Sequence, residues 1–424
     1  MIVKADGYAE KQQIAAMRAR AAETGAGIEK AAAEIMNAVR TEGYEAVKRY
    51  SLQFDKAEPY EIDRKTLEEA ARRIDPKLLS ALEESAENIR AYQQELLTKS
   101  REWESPMQGG MVGQIVRGLS RVGVYVPGGR AAYPSSVLMN VVPAKVAGCG
   151  EIIMVTPPTE NLNDAVLAAA WVSKVDRVIA VGGVQAVAAL TYGAGFIPKV
   201  DKLVGPGNAF VAAAKRMAYG TLDIDMVAGP SEVLVIADET ANPVYVAADL
   251  LSQAEHDVMA SAVLLTTSEN LAKQVEAEIG RQTGYLSRKE VMEQSLRDYG
   301  AIIVTDTLEQ CCDLANEIAP EHLEIMTKDP RSLLPRILNA GAVFLGENTP
   351  EPLGDYMAGP CHVLPTSGTA RFFSPLSVES FLKKMSVIDF SRDALASVKD
   401  GIVDMAESEH LTAHANSIRV RFES

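Results

Sequence analysis

Apolar residues along the first hundred positions recur every three or four places among good helix formers, which predicts helices over 8–21, 28–54, 66–74 and 78–97. From about residue 112 the pattern changes. Short Val- and Ile-rich runs, RVGVYVP, EIIMVTP and DRVIAVGG, alternate with Ala-rich helical stretches over 135–147, 164–173 and 184–192. A second series has SEVLVIAD, SAVLLTTS, GAIIVTD and GAVFLG as its strands and helices over 244–253, 271–281 and 308–318. Strands apolar on both faces, alternating with helices, belong to parallel sheets joined by right-handed crossovers, so two α/β units are expected. The Gly- and Pro-rich stretch 349–369 reads as an irregular loop, and 393–406 and 409–419 read as helical again. That tail has few large apolar residues for its length and is expected to pack on something else, another subunit being one candidate.

A chain of 424 residues is too long for one ordinary core and suits two or three domains. Its 47% hydrophobic and 23% charged residues are those of a globular protein, which argues against disorder and disulfide scaffolds. Lys and Arg number 42 against 57 Asp and Glu, a formal charge of -15, so no nucleic-acid partner is expected. No stretch approaches the ~18 apolar residues of a membrane span, and MIVKADGYAEKQQ lacks an apolar signal core; a cytoplasmic location without a membrane partner is expected. Cys149, Cys311, Cys312 and Cys361 show no Cys-x-x-Cys spacing, which speaks against a thiolate zinc site. All five histidines, His256, His322, His362, His410 and His414, lie in the second half of the chain.

Five constellations carry candidate chemistry. The glycine turns YVPGGR, VGGVQ and VGPGNAF cluster in one α/β unit, which keeps a nucleotide site open, but none completes Gly-x-Gly-x-x-Gly, and by themselves they read as ordinary βα turns. In SQAEHD, Gln253 and His256 are three apart at a helix end and share a face; they suit either an exchangeable metal site or a solvated polar helix end. In APEHLEI, Glu321 and His322 put two proton acceptors side by side, or form a capped turn. The loop GDYMAGPCH brings together Asp355, Tyr356, Cys361 and His362. In the tail ESEHLTAH, His410 and His414 are four apart, a two-histidine metal face or an exposed acidic helix.

These motifs, together with VGVYVPGGRAAYPSSVLMN, GPGN, AGPSEVLVIAD and the run into HVLPT, resemble histidinol dehydrogenases, in order and across about residues 110–420. The resemblance implies two Rossmann-like parallel-sheet domains with a helical N-terminal region and a small helical C-terminal tail domain. It divides the chain into an N-terminal arm (1–21), a discontinuous first Rossmann-like domain (22–124 and 233–376), a second, NAD-binding one (125–232) and a dimerisation tail (377–424). It implies zinc- and NAD-dependent oxidation of L-histidinol through L-histidinal to L-histidine, two hydride transfers in the last steps of histidine biosynthesis. Zn2+ would be held by Gln253, His256, Asp355 and His414. His322 would take the alcohol proton and Glu321 would activate water. Ser231, His362 and Glu409 would line the substrate pocket together with the metal ligands and His322, and Tyr125, Gln185 and Asn208 would hold NAD. The family pattern is also a homodimer whose tail reaches the partner's active site, which would place Glu409 and His414 in trans. Two positions depart from it: Cys361 stands where Asn is usual, and His410 where Gly is usual.

Overall fold

Glu232–Ala237, Ser261–Thr266 and Ala301–Val304 are buried at every residue, which is what unbroken apolar runs require of a strand. In the computed structural model, which describes residues 2–6, 8–19, 26–128, 133–158, 162–227 and 229–423, they form the middle of a six-stranded parallel sheet. Its order is Ile2–Lys4, Ala301–Val304, Ser261–Thr266, Glu232–Ala237, His322–Met326, Ala342–Leu345. A second six-stranded sheet runs Tyr60–Ile62, Arg177–Ala180, Glu151–Thr156, Arg121–Tyr125, Lys202–Val204, Asp223–Ile224. It is parallel except at its edge, where Tyr60–Ile62 pairs antiparallel with Arg177–Ala180. In each sheet successive strands are laid first to one side of an inner strand and then to the other. The resulting switch points lie beside Arg121–Tyr125 and Glu232–Ala237. The expected α/β fold with two Rossmann-like sheets is the one observed.

Strand alternation decides what packs where. Val122, Val124 and Met154 face Leu82 and Ile89 of the helix Pro76–Leu97 and Leu138 of the helix Pro134–Val146. Ile153, Val155 and Ile179, on the opposite face, meet Ile35, Met36 and Val39 of the helix Ala26–Glu42. The strand pairing therefore divides the chain differently from the expected grouping of 22–124 with 233–376. The helices between 26 and 97 bury their apolar faces on the sheet of residues 121–224, and the arm expected at 1–21 adds the edge strand Ile2–Lys4 to the other sheet.

Other differences have local causes. The helix expected over 28–54 is interrupted at Gly43, whose φ of 65° separates Ala26–Glu42 from Tyr44–Phe54. The stretch 349–369 is not wholly irregular: a short helix, Glu351–Tyr356, carries Pro352 in its first turn, where the missing N–H costs nothing. A three-stranded antiparallel sheet, Leu382–Asp389, Gly110–Gly118 and Trp103–Met107, has no counterpart in the expected elements. It joins the start of the tail to the main body. Residues 20–21 of the first expected helix, and Gly129 and Arg130 of the turn YVPGGR, lie outside the described residues. No helix among the described residues is long and apolar enough to cross a membrane.

The helix expected over 409–419 begins only at Thr412. The preceding helix, Arg392–Ser408, ends in a left-handed turn at His410 (φ 59°), where the Leu411 N–H donates to the Ala406 carbonyl at 2.8 Å and the His410 N–H to that of Glu407 at 2.9 Å. Glycine takes this conformation without a Cβ penalty, whereas a histidine there is strained by about 1 kcal/mol. His410→Gly is expected to raise unfolding stability by about 1 kcal/mol in urea titrations; an unchanged or lower midpoint would contradict the strained turn.

Candidate active site

A cavity of about 450 Å³ opens between the two sheets. One wall comes from the carboxyl ends of the second sheet: Tyr133 and Ser135 beyond Arg121–Tyr125, and Gly205–Gly207 beyond Lys202–Val204. This is that sheet's switch point, where a crevice forms because neighbouring connections leave on opposite faces. The other wall comes from the amino ends of the first sheet, with Ser231 before Glu232–Ala237, His256 and Asp257 before Ser261–Thr266, and Glu321 leading into His322–Met326. Asp355, Tyr356 and His362 close it.

His322 opens its strand and is buried. Its Nδ1 lies 2.9 Å from the Glu232 carbonyl oxygen; a carbonyl can only accept, so Nδ1 carries the hydrogen. Nε2 is left without a partner, 3.8 Å from Asp355 Oδ1. Burial works against protonation of His322, but the Glu321 carboxylate and then Asp355 outweigh it and raise the imidazole to about 10. Burial pushes Glu321 up to about 8, although its Oε2 accepts from the Glu232 N–H at 2.9 Å. For Asp355, burial is outweighed by His322, His362 and His256, which hold it below the usual carboxylate range. His362 Nδ1 is 3.2 Å from the Asp355 carbonyl oxygen. Burial lowers both His256 and His362, which favours neutral imidazoles with a free lone pair.

Gln253 is fully buried near the end of the helix Pro243–Ala254, and neither its amide oxygen nor its amide nitrogen has a partner. A buried amide left unsatisfied costs about 1–3 kcal/mol, so a ligand accounts for it better than packing does. His256 and Asp355, the donors the resemblance pairs with Gln253, line the cavity, and imidazole nitrogen with amide and carboxylate oxygen is an N/O set that suits zinc. Among His, Cys, Asp and Glu of the described residues, one group has ligand atoms within 4.8 Å of one another: His322, Glu351 and Asp355. It shares only Asp355 with the ligand set the resemblance implies.

Three groups at the site went unmarked in the sequence reading. Glu351, Glu324 and Asp249 are buried carboxyls. Burial raises Asp249 to about 6 and Glu351 to about 7, and burial followed by Asp249 holds Glu324 well above the usual range. Only their convergence in space marks them, since each belongs to a different element.

The expected nucleotide residues gather at the second sheet. Tyr125 Oη accepts from the Gly183 N–H at 3.0 Å, and burial raises its phenol to about 12. Gln185 donates to Asp55 at 3.1 Å, and its amide oxygen is buried without a partner. Asn208 caps the helix Ala209–Ala218, accepting from the N–H groups of Phe210 and Val211 at 3.1 Å each, so its carbonyl is engaged and its amide nitrogen is what remains. Gly205 has no room for a side chain, because a Cβ there would meet the Tyr125 carbonyl oxygen at 2.1 Å. That loop is pinned from beneath. Asp225 accepts from the Gly205 N–H at 2.7 Å, and Lys215 reaches both the Gly205 carbonyl (2.8 Å) and Asp225 (2.5 Å).

Glu409 and His414 are exposed and are not among the residues lining the cavity. Within one chain, the tail does not join Gln253, His256 and Asp355. The first departure from the family pattern is accounted for by direction: Cys361 points into the core, with Sγ 3.3 Å from the Met139 carbonyl oxygen, while its neighbour His362 lines the cavity.

Two Rossmann-like sheets enclosing a cleft of histidines and carboxylates with displaced proton affinities have the build of an α/β enzyme. The histidinol dehydrogenase family model matches residues 18–422. The chain is 54% identical to the histidinol dehydrogenase of Caldanaerobacter subterraneus (93% of each chain covered) and 50% identical to that of Heliobacterium mobile (99% and 98%). It also superposes on the crystal structure of histidinol dehydrogenase from Elizabethkingia anophelis with a TM-score of 0.89, at 37% identity over 93% of this chain and 92% of that one. The chain belongs to the histidinol dehydrogenase family.

The Lys215–Asp225 pair is 4% and 2% exposed. Removing one partner strands a buried charge, which typically costs about 3–5 kcal/mol. Lys215→Ala is expected to lose that much in urea unfolding; a loss below about 1 kcal/mol, the size of a surface pair, would show that the pin is not what holds the loop.

Proposed function

We propose that this protein oxidises L-histidinol through L-histidinal to L-histidine, the last steps of histidine biosynthesis, with zinc and NAD. The observation that carries the reading is the state of His322: Nδ1–H is committed to the Glu232 carbonyl, and Nε2 is an unpartnered acceptor on a residue lining the cavity. Once deprotonated at Nε2, His322 takes the proton of the substrate hydroxyl there, so the rate should rise with pH toward the value of about 10 to which its imidazole is raised. The nearby carboxylates make it a stronger base and stabilise the imidazolium that results. Glu321, in a dry setting that raises its proton affinity, takes a proton from the water that adds to the aldehyde carbon. Gln253, His256 and Asp355 would hold zinc, with His414 supplied by the tail of a second copy; the metal, once bound, contributes charge stabilisation and substrate orientation and no redox chemistry. Ser231, His362 and Glu409 would complete the substrate pocket.

Tyr125, Gln185 and Asn208 would hold NAD, and the unpartnered Gln185 oxygen, the free Asn208 amide and the closely approached Gly205 turn fit that role. Bound there, NAD supplies the hydride acceptor for each oxidation.

NADH formed from limiting L-histidinol tests the proposal. Roughly two NADH per L-histidinol, lost on chelation and restored by zinc, are expected. No NADH from zinc-loaded protein would overturn it, leaving another alcohol or hydrolysis as the chemistry of this site. Glu321→Gln and His322→Gln are each expected to lower kcat by about 10²–10⁴ with little change in zinc content. A rate within a few-fold of wild type in either variant would remove that residue from the proton-transfer role.

A further inference from the structure

Beneath the candidate metal ligands, a buried polar network ties together three elements that share no sequence neighbourhood. Glu324 follows His322 by two residues and so lies on the same face of the strand His322–Met326. Its Oε1 accepts from the Glu351 N–H at 2.8 Å, and Glu351 is the first residue of the short helix that ends just past Asp355. Glu351 Oε2 accepts from the Ser252 hydroxyl at 3.0 Å, and Ser252 precedes Gln253. Asp249, one turn earlier on that helix and i, i+4 from Gln253, completes the buried group beside Glu324. The strand of His322 is thus joined to the helix of Asp355 through a backbone N–H, and that helix to the helix of Gln253 side chain to side chain.

We infer that Glu324 is a positioning residue for the metal site, acting through Glu351 and Ser252 to fix Asp355 and Gln253 in register with His322. The inference rests on the zinc reading given above. A helix of only six residues has little hydrogen bonding of its own, so what anchors its first N–H sets where Asp355 sits. Clustering three buried carboxyls is costly, and packing alone would be served as well by apolar side chains. Partners that orient metal ligands in this way typically change metal affinity by about 10–100-fold when lost.

Zinc affinity measured on the full chain by chelator competition, with circular dichroism to confirm folding, tests the inference without reference to turnover. Glu324→Ala should weaken zinc binding by about 10–100-fold. Glu324→Gln should restore affinity close to wild type, because its amide oxygen can accept the same Glu351 N–H. Ser252→Ala, a change too small to threaten the fold, should weaken binding in the same direction by a smaller factor. Wild-type affinity in Glu324→Ala, or in Ser252→Ala should the first variant not fold, overturns the inference, as does a Glu324→Gln as weak as the alanine variant. Wild-type protein that takes up no zinc would instead overturn the metal reading, and this inference with it.

Discussion

Everything at this site depends on holding the carboxyl edge of one parallel sheet against the amino edge of another. The buried contact of Lys215 with Asp225 and the Gly205 loop fixes the second sheet's side of that juncture. Asp225 lies where the chain leaves the second sheet, just after Asp223–Ile224, and Glu232 begins the first. The crossing is only a few residues long, and Asp225 also accepts from the Met226 N–H at 2.7 Å. Fixing its start fixes where Ser231 and the Glu232 carbonyl arrive. That carbonyl then sets the tautomer of His322, so a structural ion pair and the proton chemistry are connected through one short stretch of backbone.

The same geometry explains why histidines and carboxylates at this cavity depart so far from their ordinary proton affinities. His322, Glu321, Glu324 and Glu351 are all buried, and each faces another ionisable group instead of water. Two carboxyls that differ only in neighbours behave differently. Asp355 sits among three imidazoles and is held below the usual carboxylate range, whereas burial and then Asp249 push Glu324 well above it. Under the proposed function Asp355, His256 and the unsatisfied Gln253 amide would be the ligand set, and the buried acids behind them would serve as hydrogen-bonding supports.

Much of the fold was legible because both sheets are covered on two faces. The apolar stretches VLVIA and IIMV within SEVLVIAD and EIIMVTP, short and alternating with helices, are what buried parallel strands look like in sequence. Tyr60–Ile62, Lys202–Val204 and Asp223–Ile224 are too short to carry a period, and Leu382–Asp389 is exposed along much of its length, so neither signal reached them. The assignment of the N-terminal helices to a sheet was not legible at all, because amphipathicity shows that Ile35 or Leu82 is buried but not against what. At the site, histidine-bearing motifs stood out by rarity, and His256, His322, Asp355 and His362 do line one cavity. Glu324, Glu351, Asp249 and Asp55 gave no signal, since an acid destined for burial looks in sequence like any solvated one.

Glu409 and His414 are exposed and away from the cavity they are proposed to serve, so under the proposed function the body of one chain carries an incomplete site. Mixing two inactive proteins tests it most directly: His322→Ala, with an intact tail, and His414→Ala, with an intact body. If the tail acts in trans, subunit exchange places one intact body beside one intact tail, and the mixture should recover roughly a quarter of wild-type activity, since half of the dimers then hold one complete site of two. A mixture that stays as inactive as its components, after exchange has been shown to occur, would contradict the account and require each chain to complete its own site.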